Sequence, residues 1–301
     1  MRNLTIYRYV DHVARAGSIR KAAEGLNITP SALNRRIQSF EDEVGFPIFE
    51  RISMGVRLNA AGELIIGHVR NQLADMERVR SRIADLEGNR RGHIPIACSQ
   101  ALLPYFLPDQ ISQYRSAYPA VTFSVLPRDR EAAERALMDY NVDLALVFEP
   151  VLMAELRPLA LVRQSVHAVM AANHPLAGET VVRLRDCLQH PLCLPTAPYG
   201  VRNLLRQATA RRAEPLRPVV ESDSFEFLRH AIGDGESISF QIEIGLRSAA
   251  GGAIVHRPVD ERDLPSGVLV LGQLRNRVLP VASARFADQL VNCFQTRFEC
   301  V

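Results

Sequence analysis

The 301-residue sequence predicts an α/β chain with a small helical head at its N-terminus. Three observations point there. Residues 18–44 place apolar residues at helical spacing in two short runs separated by Asn27-Ile28. Residues 60–87 hold one apolar stripe over three heptads. Beyond Gly92, short apolar runs alternate with amphipathic stretches, the pattern of strands and helices in a mainly parallel sheet. A hydrophobic content of 47% and a charged content of 23% are those of a soluble globular chain. The length calls for two or three domains, and no apolar run reaches the ~18 residues of a membrane span.

Residues 3–16 form a first helix with Ile6, Val10 and Val13 inward and Gly17 as its stop. Ser18 caps a second helix, in which Ile19, Ala22, Ala23 and Leu26 share a face. Thr29 caps a third, with Pro30 at the first helical position, where a missing N–H is harmless. This third helix, residues 30–43, has an apolar stripe of Leu33, Ile37, Phe40 and Val44. Its polar stripe is Ser31, Asn34, Arg35 and Gln38. At roughly 100° per residue the stripes are centred about 140° apart, so burying one turns the other outward. Asn suits adenine, Arg suits guanine or phosphate, and Ser and Gln are adaptable donors. The pair therefore predicts a helix-turn-helix whose second helix reads a major groove. An ordinary amphipathic pair with a solvated face shows the same residue types.

Gly45 ends the third helix. Phe46–Arg51 is extended, Ser53-Met54-Gly55 turns and Val56-Arg57-Leu58 returns, a small hairpin or wing. Arg51 and Arg57 near its stem are placed for phosphate or minor-groove contact. Asn59 caps a long helix over 60–87, with Ile65, Val69, Gln72, Met76, Val79, Ile83 and Leu86 along its stripe. A rod of roughly 42 Å would expose that stripe, so a second copy is expected against it. Gly88–Gly92 is a charged linker. Strands follow near 93–98, 121–126, 142–148, 164–171, 192–194, 219–222, 238–240, 253–258 and 268–274. Helices are expected near 103–114, 130–140, 184–188, 201–212, 225–232 and 281–299.

The net charge is +3, and its location matters. Residues 1–59 hold nine Lys and Arg against six Asp and Glu, which leaves 27 of each sign in the remainder. A basic head on a neutral body suits a nucleic-acid module. Met1–Leu4 leads into a mixed polar helix with no apolar signal stretch, which predicts a cytoplasmic chain with no membrane partner. Five cysteines at irregular spacing are neither a disulfide framework nor, without a CxxC pair, a zinc site. Cys193 lies in an apolar run and reads as core, and neither it nor Cys187 has a clear thiolate-stabilising environment. There is no G-x-S-x-G elbow, no P-loop and no metal spacing among the histidines, so no catalytic residue, metal or cofactor is assigned.

The N-terminal stretch resembles the LysR-type transcriptional regulators of bacteria. The residues that carry the resemblance are Ser18, Ala22-Ala23, Pro30-Ser31-Ala32-Leu33-Asn34-Arg35, Glu41 to Gly45, Ile48-Phe49-Glu50-Arg51 and Arg57-Leu58-Asn59-Ala60-Ala61-Gly62. Asn34 and Asn59 depart from the commoner Ser and Thr. The run Gly233–Phe240 lacks the Pro that often follows it in the family. The resemblance implies a winged helix-turn-helix over 1–59, a dimerising linker helix over 60–91 and a bilobed, periplasmic-binding-protein-like effector domain over 92–301. One lobe is expected at 92–161 with 267–301, the other at 162–266. It also implies promoter DNA and a small-molecule effector as partners, and assembly into dimers and tetramers. RNA polymerase is a further candidate partner. Candidate DNA contacts are Ser18, Arg20, Thr29, Pro30, Ser31, Asn34, Arg35, Arg36, Gln38, Arg51 and Arg57.

In two-lobed α/β proteins ligands sit at the C-terminal ends of strands. That selects Ser99, Gln100, Arg128, Phe148, Thr196 and Ser224 as effector contacts, with Ser99 and Thr196 foremost because hydroxyl and N–H groups there could hold a carboxylate. A helix cap would use the same residues. Two other functions compete: a DNA-architectural protein with a vestigial sensor domain, and an enzyme on a binding-protein fold. The second would need acid and base groups converging in the cleft.

Overall fold

In the computed structural model, contacts divide the chain into two compact units, residues 1–83 and 84–301. The structure describes residues 2–86, 91–151, 154–210, 216–247, 252–298 and 300. Positions 88–90 of the expected linker, the ends of the helices expected to reach 87, 212 and 299, and the terminal residues 1 and 301 lie outside the described residues.

The first unit holds α1 (Arg2–Ala16), α2 (Ile19–Gly25), α3 (Pro30–Val44), the hairpin β1 (Phe49–Ile52) and β2 (Gly55–Leu58), and α4 (Ala60–Leu86). Its core gathers Val10, Val13, Ala22, Ala23, Leu33, Ile37 and Phe40 with Ile48 and Val56 of the wing. Gly17 ends α1 with φ of +61°, a conformation open to glycine. Its carbonyl accepts from Val56 N at 2.9 Å, and a Cβ on Gly55 would stand 2.2 Å from that oxygen. The wing is thus seated on the turn between α1 and α2. The stripe of α4 differs from the expected continuous seam. Ile66 and Val69 are buried in the head's own core, with Ile65 and Leu73 beside them. Further along, Val79, Ile83 and Leu86 are 44%, 50% and 88% exposed.

The second unit begins with β3 (Gly92–Cys98), α5 (Phe106–Ala117), β4 (Val121–Pro127), α6 (Arg130–Met138), β5 (Leu144–Phe148) and β6 (Leu156–Gln164). It continues through β7 (Val166–Ala171), α7 (Leu184–Cys187), β8 (Leu192–Pro195), α8 (Gly200–Ala210), β9 (Pro218–Ser222) and α9 (Phe225–Ala231). It closes with β10 (Ser239–Ile242), β11 (Ile254–Pro258), β12 (Gly267–Leu274) and α10 (Val281–Arg297). One sheet has the order β4-β3-β5-β12-β6, another β10-β7-β11, and β8 pairs with β9. The chain leaves the first sheet at Ser165 and returns to it at Gly267.

Two expectations change. The sheets are mixed rather than mainly parallel: β3 runs parallel to β4 and β5, but β12 is antiparallel to both neighbours and β7 to both of its own. Also, β6 was expected only at its last residue. Arg157, Pro158 and Arg163 hide it, and Pro158 is tolerated because β6 is an edge strand whose register shifts at Leu271/Gly272.

Candidate DNA-reading head and ligand cleft

Thr29 Oγ1 accepts from Ala32 N at 3.3 Å and Pro30 opens α3, so the helix starts where its cap residues dictate. With Leu33, Ile37 and Phe40 buried, Ser31, Arg35 and Gln38 are exposed and Asn34 is half-buried. Ser18 caps α2 through a long 3.5 Å contact from Lys21 N. Arg20 forms an exposed pair with Glu24 at 3.3 Å, which surface screening makes weak. Arg51 is exposed, while Arg57 hydrogen-bonds Glu50, its partner across the hairpin. Arg36 points elsewhere: its Nη1 donates to the Tyr9 hydroxyl at 3.0 Å and its guanidinium lies 5.0 Å from the Tyr9 ring. It stands apart from the Ser31–Gln38 stripe because it sits one residue, about 100°, round the helix from Arg35.

Three residues position this head; sequence reasoning assigned no such role to Glu41 and Asp11, and to Asn59 only the cap of α4. Glu41 Oε1 accepts from Ile48 N at 2.8 Å and Phe49 N at 3.0 Å, which fixes the chain as it enters the wing. Asp11 holds Arg70 of α4 at 2.8 Å. Asn59 Oδ1 caps α4 by accepting from Gly62 N at 2.8 Å, while its Nδ2 donates to Pro47 O at 2.9 Å. The Glu41-to-Gly45 spacing was visible, but its long-range partners were not.

In the second unit Gln100 joins residues far apart in the chain. Its Nε2 donates to the Tyr199 hydroxyl and its Oε1 accepts from Phe225 N, both at 3.3 Å. The Tyr199 and Phe225 rings meet edge-on at 5.1 Å, and burial pushes the Tyr199 phenol up. Ser99 is half-buried and opens a short 3-10 turn without a side-chain cap bond. Thr196 is half-buried at the end of β8, its N–H bonded to Ser222 O at 3.2 Å. Arg128 is exposed and bonds its own neighbour's carbonyl, Pro127 O, at 3.0 Å.

Two candidates have packing or capping roles. Phe148 is a buried wedge: a Cβ on Gly200 or Gly267 would lie 2.7 Å or 2.3 Å from its ring. Ser224 caps α9, accepting from Phe227 N at 3.2 Å. Arg130 was missed; its Nε donates to Pro198 O at 3.1 Å and its Nη1 to Glu149 O at 2.9 Å. Nothing in the sequence singled it out from neighbouring arginines.

Burial pushes the Cys98 and Cys187 thiols up to about 12 and Cys193 upward, which leaves little thiolate at neutral pH. Among the described residues, no group of three or more His, Cys, Asp or Glu could hold a metal ion. No described helix is long and apolar enough to cross a membrane.

Residues 4–63 match the family model of a bacterial regulatory helix-turn-helix protein, lysR family, and residues 87–294 match that of a LysR substrate binding domain. The chain is 23% identical over 241 residues to the HTH-type transcriptional activator CmpR of Synechocystis sp., covering 79% of each chain. It is similar in fold to a full-length OxyR variant from Pseudomonas aeruginosa, with a TM-score of 0.72, 22% identity, and coverage of 95% of this chain and 94% of that one. The fold is also that of full-length CbnR complexed with its target DNA, with a TM-score of 0.61, 16% identity, and coverage of 96% and 99%. With the substrate-binding model alone spanning more than two thirds of its residues, the chain belongs to the LysR family and is a LysR-type DNA-binding transcriptional regulator with an effector-binding domain.

Proposed function

We propose that the chain reads promoter DNA as a homodimer joined through α4, and that a small-molecule effector seated near Ser99, Gln100 and Thr196 changes how that DNA is held. Pairing of dimers into tetramers and contact with RNA polymerase belong to the same proposal. The observation that carries it is the outward stripe of α3. Ser31, Arg35 and Gln38 are exposed while the opposite face is buried, and the exposed Arg51 stands on the wing that follows. The CbnR structure, in complex with target DNA, shows that this fold can hold a duplex. Arg35 is assigned to a base edge or phosphate, Ser31, Asn34 and Gln38 to base edges, and Arg51 to the backbone.

The test is fluorescence anisotropy of the full chain on a site selected from random duplexes. Arg35→Ala should weaken specific binding by about tenfold to a hundredfold, the range of one lost bidentate base contact. Binding to scrambled duplex should change far less, and the thermal midpoint should hold because Arg35 is exposed. Wild-type affinity in Arg35→Ala would remove α3 from the reading role.

A further inference from the structure

Asp11 of α1 shares its carboxylate between two arginines. Arg15 Nε, one turn along the same helix, donates to Oδ2 at 2.7 Å. Arg70 Nε, on α4, donates to Oδ1 at 2.8 Å. The first bond stops the carboxylate from turning and presents its other oxygen to Arg70. The Asp11 and Arg70 side chains are only 13% and 11% exposed, so salt screens this pair far less than a surface pair.

The pair sits where α4 parts from the reading head. At the helix start, Asn59 ties the cap of α4 to Pro47 O. Ile66 and Val69 then pack in the head's core, with Leu73 partly buried beside them. Burial of apolar groups is non-directional, so it presses α4 against the head without fixing its tilt or roll. A charge-assisted hydrogen bond is directional and supplies that constraint. Asn59 and Arg70 are roughly 16 Å apart along the helix axis, and Ile83 lies roughly 20 Å beyond Arg70. Two directional anchors define a line, and a lever longer than their separation carries it to Val79 and Ile83, the half-exposed stripe. Without the second anchor, a small tilt at Arg70 becomes a larger displacement at that stripe.

We propose, on the reading that the chain dimerises through α4, that Asp11 is a positioning residue: through Arg70 it sets the angle at which α4 leaves the head, and so the spacing of DNA half-sites that the dimer accepts. Asp11 touches no DNA in this role. The stripe of α3 decides which bases are read, and the Asp11–Arg70 pair decides how far apart two such sites stand.

Fluorescence anisotropy of the full chain tests this on the site selected from random duplexes. The same site is also made with its centre lengthened or shortened by about two base pairs, which turns one half-site by roughly 70° and moves it by roughly 7 Å. A third duplex carries one half-site alone. Wild type should bind the respaced duplexes at least about tenfold more weakly than the selected one. Asp11→Asn, isosteric but uncharged, should cut that loss to at most about threefold while binding the single half-site as wild type does. Arg70→Gln should do the same, and the double variant should match either single one, because all three remove one anchor. Sedimentation velocity should show dimers in every variant. A spacing preference as sharp in Asp11→Asn as in wild type would overturn the proposal and leave the dimer reading standing. So would equal weakening on the single and the paired sites, the mark of a merely structural pair, or dissociation of Asp11→Asn into monomers. Indifference of the wild type itself to spacing would overturn the dimer reading and this proposal with it.

Discussion

Asn59 joins two elements because its amide carries an acceptor and a donor on separate atoms. The oxygen caps α4, while the nitrogen holds Pro47 O at the start of the wing. Loss of an N-cap alone costs about 1 kcal/mol, and the second bond adds a comparable amount. Asn59→Ala should therefore lower the thermal midpoint of the full chain's head transition by several degrees, followed by circular dichroism. An unchanged midpoint would mean that water replaces both bonds. A second residue-scale effect is pH-dependent. His167 is nearly buried and its pKa is pushed from 6.5 down to about 4, first by desolvation and then by His256. The folded chain resists this proton while the unfolded chain accepts it. The stabilisation is thus complete above about 6.5 and is lost as pH falls towards 4, with a slope of at most about 1.4 kcal/mol per pH unit. His167→Gln should flatten the melting temperature across that window; an equal slope in both proteins would place the acid sensitivity elsewhere.

At the scale of elements, α4 does two jobs along its length. Its first turns complete the head's core through Ile66 and Val69, and its later turns present Val79 and Ile83 to solvent. An apolar stripe at heptad spacing that is half exposed in one chain is what a partner helix covers. Ile83→Asp should dissociate the proposed dimer in sedimentation velocity while the head keeps its melting temperature, because Ile83 lies outside the head's core. A dimer that persists in Ile83→Asp would move the interface off α4. The helices were legible because their signals are local: Ser18 and Thr29 cap, Gly17 and Gly45 stop, and each described helix falls within a few residues of its expected bounds. The antiparallel placement of β12 and β7 was not, since a strand's own residues do not say which neighbour it finds. For the same reason Ser99 and Thr196 could be chosen by position at strand ends, whereas Tyr199, Phe225 and Arg130 became visible only through partners many residues away.

At the scale of the whole molecule, a regulator must couple a ligand to DNA, and small differences suffice when the arrangement is held weakly. In the second unit, Gln100 reaches Tyr199 and Phe225 through two long bonds, and Arg130 adds one to Pro198. Each is worth about 1 kcal/mol, so an effector that replaces them need gain only a few kcal/mol of differential affinity to shift the population. Strand β3, which leads into Gln100, and its neighbour β5 are anchored far more firmly: Ile94, Ile96, Leu144 and Leu146 are fully buried in the main core. Loosening should therefore be confined to the contact and spare the sheet. Hydrogen exchange of the full chain can see this directly, because Gln100 Oε1 accepts from the Phe225 amide. Gln100→Ala should raise exchange in the segment containing residues 225–228, by about fivefold to tenfold for a bond of that size. Peptides covering β3 should exchange as in the wild type. If residues 225–228 stay equally protected, the Phe225 amide is held by contacts other than Gln100, and the proposed effector would have to act on Arg130 instead.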